Sequence, residues 1–296
     1  MTDPILVFPW HRGTDPAFLR SREWLVTNGL GGYASGTLLG IATRRYHGPF
    51  VPNLPAPRGR TVMIPRLDEE MYCGMRKVQL GGAELADGTL ETEGYLFLKE
   101  FRREWQTPTW VFELDGHVME KRVIMPYGQN TVYITYTLLH GGPVRFHLRP
   151  YFTFRMHDGA LGCPAEWPFT LTVTRGRYEV HPFEGAPAVK ICLRPHCGVF
   201  VAEERSSRNV LYQVERNRGY DHQEDLFSPG YFTAELHLEQ PLAFTASIET
   251  WESLDLEVPP IFVAEQQRLE KMLTLAPESA RSGLTAQLIL AADQFI

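Results

Sequence analysis

A chain of 296 residues with 44% hydrophobic and 22% charged side chains has the composition of an ordinary folded protein, which argues against a disordered chain. A formal net charge of -6 argues against a broad nucleic-acid footprint, because such a surface needs clustered Lys and Arg to displace counterions from phosphates. A neutral ligand fits this balance better than a polyanion.

The start, Met1-Thr2-Asp3-Pro4-Ile5-Leu6-Val7-Phe8-Pro9-Trp10, carries an acid where a signal peptide has its basic region, and no stretch is long and apolar enough to span a bilayer. The expectation is a cytoplasmic protein without a membrane partner. Cys73, Cys163, Cys192 and Cys197 show no paired spacing and read as reduced thiols. A metal at Cys192, His196 and Cys197 would lack a fourth ligand at a recognisable spacing, so no metal is expected.

The first dense stretch is Glu23-Trp24-Leu25-Val26-Thr27-Asn28-Gly29-Leu30-Gly31-Gly32-Tyr33-Ala34-Ser35-Gly36, continuing into Thr43-Arg44-Arg45-Tyr46-His47-Gly48. Gly29-x-Gly31-x-x-Ala34 formally matches a dinucleotide-binding turn. That turn must open a helix, and Ser35-Gly36-Thr37-Leu38-Leu39-Gly40-Ile41 opposes one, so no cofactor is expected. On an extended strand Arg44, Tyr46 and Gly48 would face one way and Thr43, Arg45 and His47 the other. One set would contact a sugar or an adjoining domain; the structural alternative is a buried hydrogen-bond network pinning two sheets together.

From 24 to 249, turn dipeptides punctuate the sequence at short intervals. The runs 109–114 and 117–125 flank Asp115-Gly116, a hairpin with a type I′ turn. Further strands are expected at 131–137, 169–173, 188–193, 209–214, 231–238 and 244–249. In the first of these Val132, Ile134 and Tyr136 share one face; the threonines and Tyr133 share the other, which is expected to be at least partly wet. Strands at this spacing predict a mainly β protein, a large antiparallel β-sandwich.

The stretch 212–232 reads as a charged loop with carboxylates Glu215, Asp221, Glu224 and Asp225 among Arg216, Arg218 and His222. Paired carboxylates can cleave a glycoside, but interleaved opposite charges favour a structural salt-bridge knot built from Arg218, Asp221, Glu224 and Asp225. Ser35 and Ser228 lack a nucleophile-elbow context, and no His-x-x-x-His pair offers zinc ligands. Of the six tryptophans, Trp10 and Trp167 sit in Pro-rich loops and are the expected exposed pair for stacking on a sugar ring.

Beyond Leu254 the pattern turns helical. Pro259-Pro260 suits a first turn, and 261–275 places Phe262, Leu269, Met272 and Leu273 on one face. Pro277 stops this helix, Ser279 could cap the next, and Leu284, Leu288, Ala291 and Phe295 recur at helical spacing. The expected organisation is a sandwich over 1–255, a linker helix over 256–278, and C-terminal helix from 279 to 296 to which further chain is expected to attach.

The ordered blocks of the opening stretch through Thr37, then Thr43 to Gly48, resemble the N-terminal domain of the archaeal and bacterial type of glycogen debranching enzyme. Glu120-Lys121 with Asn130-Thr131-Val132 is similar to further segments of that domain, as is Arg218-Gly219-x-Asp221-x-x-Glu224-Asp225-Leu226-Phe227-x-Pro229-Gly230-x-Phe232. The resemblance implies a supersandwich-like fold preceding an α/α-toroid with amylo-α-1,6-glucosidase activity, whose first helix the 279–296 segment resembles. It implies an α-glucan partner, glycogen or a branched maltooligosaccharide, and places no catalytic residue in this chain, which alone should be inactive. The favoured expectation is glucan recognition and scaffolding through Asn28, Arg44, Arg45, Tyr46 and His47, with Trp10 and Trp167. The alternatives are a purely structural module for the toroid and, behind it, an autonomous sugar-active enzyme.

Overall fold

The computed structural model describes residues 5–8, 15–161, 169–182, 185–195, 198–254 and 257–295. Two large sheets dominate. In the nine-stranded sheet the strands run in the order Ile5–Phe8, Leu98–Glu104, Thr107–Leu114, His117–Ile124, Thr131–His140, Leu242–Ser247, Val189–Arg194, Arg177–His181, Thr170–Thr174. The five-stranded sheet runs Val199–Leu211, Gln223–Leu236, Val144–Tyr151, Arg66–Cys73, Arg76–Gly81. Neighbouring strands pair antiparallel in both. The chain is thus mainly β, an antiparallel sandwich followed by helices.

Alternation along each strand builds the layer between the sheets. Met119, Val123, Val132, Ile134 and Tyr136 from the nine-stranded sheet meet Met71, Phe146, Leu148, Phe232 and Leu236 from the five-stranded one in a single buried cluster. Tyr136 and Phe146 touch across the layer with ring centroids 4.7 Å apart. The Asp115-Gly116 hairpin turn has φ of 46° and 79°, the two positive values that a type I′ turn demands.

The other face of 131–137 departs from the wet face expected. Thr131, Tyr133 and Thr135 are all buried, and the helix Val258–Thr274 crosses this face over Tyr133. Tyr133 packs there with Ile124, Ala243, Val258 and Ile261. A strand that alternates hydroxyl and aliphatic residues is therefore buried on both sides. Pro259-Pro260 falls in the first turn of the covering helix, as its missing amide hydrogens allow.

Three further expectations are corrected. Strand 209–214 is replaced by the long strand Val199–Leu211, followed by a short helix Gln213–Asn217. The stretch 212–232 is no loop, since from Gln223 onward it is a central strand whose alternate residues feed the core. Ser279 lies in a 3-10 turn, and Ser282 precedes the final helix Gly283–Asp293. In that helix Ala286 and Leu290 are buried against Trp105, Leu269 and Leu273, whereas Leu284, Leu288 and Phe295 turn outward with 75%, 59% and 82% of their surface exposed.

Candidate functional site

Two small sheets sit beside the sandwich, and one of them holds the first dense stretch. Glu23–Thr27 pairs with Tyr33–Thr37, which pairs in turn with Gly48–Val51. The connection 28–32 is a loop between antiparallel strands with no helix after it, so the geometry of a dinucleotide turn is absent. Asn28 fixes this loop. Its Oδ1 accepts the Leu30 amide at 3.0 Å, while its Nδ2 donates to the Gln129 carbonyl at 2.9 Å and to Asn130 Oδ1 at 3.0 Å. At Gly32 a Cβ would stand 2.8 Å from both Asn130 Oδ1 and Asn28 Nδ2, so only glycine fits beside these amides.

Residues 44–47 form a turn, closed by the His47 amide donating to the Arg44 carbonyl at 3.0 Å, and not the extended strand expected. The turn undoes the expected separation of Arg44 from His47. Both converge on Glu23: Arg44 Nε lies 2.6 Å and His47 Nε2 3.8 Å from Glu23 Oε1. The Thr43 amide donates to His47 Nδ1 at 3.3 Å, which leaves the imidazole proton on Nε2, facing the carboxylate. His47 first, then Arg44, holds the Glu23 carboxyl down at about 2, against the opposing effect of partial burial.

These groups border a cavity of about 620 Å³, lined by the glycine-rich loop, Trp24, Tyr33, Tyr46, Arg60 and His157, with Gln294 and Phe295 at its edge. The Tyr33 hydroxyl donates to the Tyr46 carbonyl at 2.7 Å, and burial pushes its pKa well above that of a free phenol, keeping it a neutral donor. Arg60 Nε donates to the Gly31 carbonyl at 2.8 Å. Gln294 Nε2 reaches the Leu25 carbonyl at 3.2 Å, tying the end of the last helix to the same wall. Burial lowers the His157 pKa, favouring neutral imidazole. An ionised carboxylate, neutral ring donors, exposed backbone and aromatic edges suit a neutral, hydroxyl-rich ligand.

The expected residues divide sharply. Tyr46 and His47 line the cavity, and Arg44 stands behind them with its guanidinium 5.7 Å from the Tyr46 ring centroid. Arg45 turns away, its NH1 3.4 Å from the Gly159 carbonyl. Asn28 is fully buried and shapes the loop from within. Trp10 and Trp167 lie outside the described residues, as do Cys163, His196 and Cys197. Among the described residues no group of three His, Cys, Asp or Glu side chains gathers as a metal site. Arg60, His157, Gln294 and Phe295 reach the cavity from elements far along the chain, and no local motif marks them.

The charged stretch 212–232 is built otherwise. Glu224 is buried, and its carboxylate accepts from Thr153 Oγ1 at 3.1 Å, Arg155 Nε at 2.7 Å, Arg155 NH2 at 3.1 Å and the Tyr212 hydroxyl at 2.6 Å. Asp225 Oδ1 accepts the Asn209 amide at 2.7 Å, while Arg218 and Asp221 are exposed. Ser228 is buried with its hydroxyl donated to the Gly230 carbonyl at 2.9 Å, and Ser35 is 7% exposed; neither is presented as a nucleophile.

With this geometry in place, comparisons with known proteins give two results. Residues 22–243 match the protein family described as "Glycogen debranching enzyme N terminal". Among solved structures, a GalM/aldose epimerase homologue from C. elegans aligns over 76% of this chain and 98% of its own, with 9% identity and a TM-score of 0.41. A putative aldose 1-epimerase from Escherichia coli K12 aligns over the same shares at 9% identity and a TM-score of 0.35. No curated protein matches the sequence.

Proposed function

The chain belongs to the glycogen debranching enzyme N-terminal family, and from that premise we propose that it is a glucan-recognition and scaffolding domain supporting α-1,6-glucosidic hydrolysis by a separate α/α-toroid catalytic domain. The observation that carries this reading is the cavity of about 620 Å³ in which the glycine-rich loop, Glu23, Tyr46 and His47 meet Gln294 and Phe295 of the last helical segment. A branched maltooligosaccharide enters it, its hydroxyls donating to Glu23 and its rings lying against Trp24 and Tyr46. Arg44 and Arg45 act in support, Arg44 by orienting Glu23 and Arg45 by bracing the turn. The sandwich over 1–255, a linker helix over 256–278 and the first toroid helix from 279 complete the proposed organisation.

Support for the docking half comes from the last helix. Leu284, Leu288 and Phe295 present an apolar stripe on the face opposite the one packed on Trp105, and such a stripe suits a neighbouring helix. Affinity electrophoresis in glycogen gels tests the recognition half. Retardation of the chain that is weakened in Tyr46→Ala is the expected result, and equal mobility of the wild-type chain with and without glycogen would remove it. Co-expression with the toroid separates the purely structural alternative: if toroid solubility needs this chain but glucan affinity does not, scaffolding alone is its role.

A further inference from the structure

A second groove lies where the helix Val258–Thr274 crosses the outer face of the nine-stranded sheet. It has a volume of about 380 Å³, and its lining includes Glu104, Glu120, Arg122, Thr135, Thr137 and Phe262. That size falls within the roughly 300–1,000 Å³ of small-molecule sites. Strand alternation explains the lining: every second residue of Thr107–Leu114, His117–Ile124 and Thr131–His140 points outward, and here the outward set is hydroxyl and charged.

The chemistry of the walls narrows the ligand. The carboxylates Glu104 and Glu120 disfavour phosphates and other anions. A cation is disfavoured too, because those carboxylates are already matched: Arg102, outside the groove, holds Glu104 and Glu120 each at 2.5 Å, and Arg122 NH2 lies 3.4 Å from Glu104. Ionised groups in the wall exclude a lipid chain. What remains is a neutral ligand offering many hydroxyl donors and acceptors together with a modest apolar face. Phe262 supplies an apolar wall, and the Arg122 guanidinium, also in the lining, lies over its ring 4.3 Å from the centroid. Thr135, 5% exposed, lies deep in the groove, and Thr137 is half-buried beyond it.

We propose that this groove is a second saccharide site, distinct from the glycine-rich cavity, that takes a mono- or disaccharide-sized end of a neutral glucan between Phe262 and the hydroxyls of Thr135 and Thr137. The inference rests on the proposed glucan function only for the choice of sugar. Two sites on one domain would let it hold a branched glucan by two chains at once, and avidity then exceeds either affinity without new contacts.

Maltose titration of the whole chain, followed by NMR of assigned amide and methyl signals, tests it. Signals of Thr135, Thr137 and Phe262 should shift with a single affinity, and Thr137→Val combined with Phe262→Leu should weaken that affinity by roughly tenfold, the loss of about one hydrogen bond with its apolar wall. Thr137→Val keeps the side chain's shape and Phe262→Leu leaves a smaller apolar group in place, and the unchanged remainder of the spectrum reports that the fold is intact. Tyr46 is read in the same titration, so the two sites succeed or fail separately. Groove signals that stay still at saturating maltose, whatever Tyr46 does, would overturn the inference; so would groove shifts that the double variant leaves at wild-type affinity.

Discussion

Two of the clusters that bring a carboxylate and an arginine together are opposites in construction. At Glu224 the side chain is fully enclosed, Arg155 is 10% exposed, and four donor contacts occupy the carboxylate from within the protein. At Glu23 the side chain is 35% exposed, and Arg44 and His47 approach from one side while the other borders a cavity. The first arrangement uses all its polarity to hold strands together. The second fixes the charge of its carboxylate and still presents it outward, which is the condition for recognising a ligand. A dense charge pattern in sequence does not separate these cases; enclosure does.

The contrast can be broken most forcefully at Glu224. Glu224→Ala leaves Arg155 buried without its counter-ion and should cost about 3–5 kcal/mol in urea unfolding, with glucan affinity per folded molecule unchanged. A cost below about 1 kcal/mol would make the knot ornamental. Next in size is Asn28→Ala, which strands several buried amide partners and should cost about 2 kcal/mol while loosening the 28–32 loop, visible as faster amide exchange at Leu30. Tyr46→Ala should instead change stability by no more than about 1 kcal/mol and act on glucan binding. The smallest effect sharpens the open cluster. Because the Glu23 carboxyl is held at about 2, below its ordinary 4.5, its contribution is fully present above about 4.5 and is lost as pH falls towards 2. Solvent screening keeps that contribution under about 1 kcal/mol, so Glu23→Gln should flatten the acid limb of the stability curve only slightly.

Much of the fold was readable from local pattern. The Asp115-Gly116 turn, the period-two alternation of Val132, Ile134 and Tyr136, and the proline-led helix each rest on short-range physics, and each stands in the structure. What local pattern could not supply was the identity of the layer covering a face. Tyr133 looks half-wet until a helix more than a hundred residues later packs over it. The Arg44 to His47 run was misjudged for a related reason. Alternation assumes an extended chain, and nothing in these four residues announces that a turn will swing Arg44 and His47 onto Glu23. The density of motif residues singles out the 23–48 stretch, but Arg60, His157, Gln294 and Phe295 join it only through tertiary packing.

NMR shift mapping with a branched maltooligosaccharide tests the central claim most directly. Chemical-shift changes at 29–33 and at Tyr46 and His47, alongside those of the Thr135, Thr137 and Phe262 groove, with Tyr212, Glu224 and Asp225 unmoved, are what the open-cluster account predicts. Shifts that gather on Tyr212, Glu224 and Asp225 while the glycine-rich cavity stays silent would contradict it.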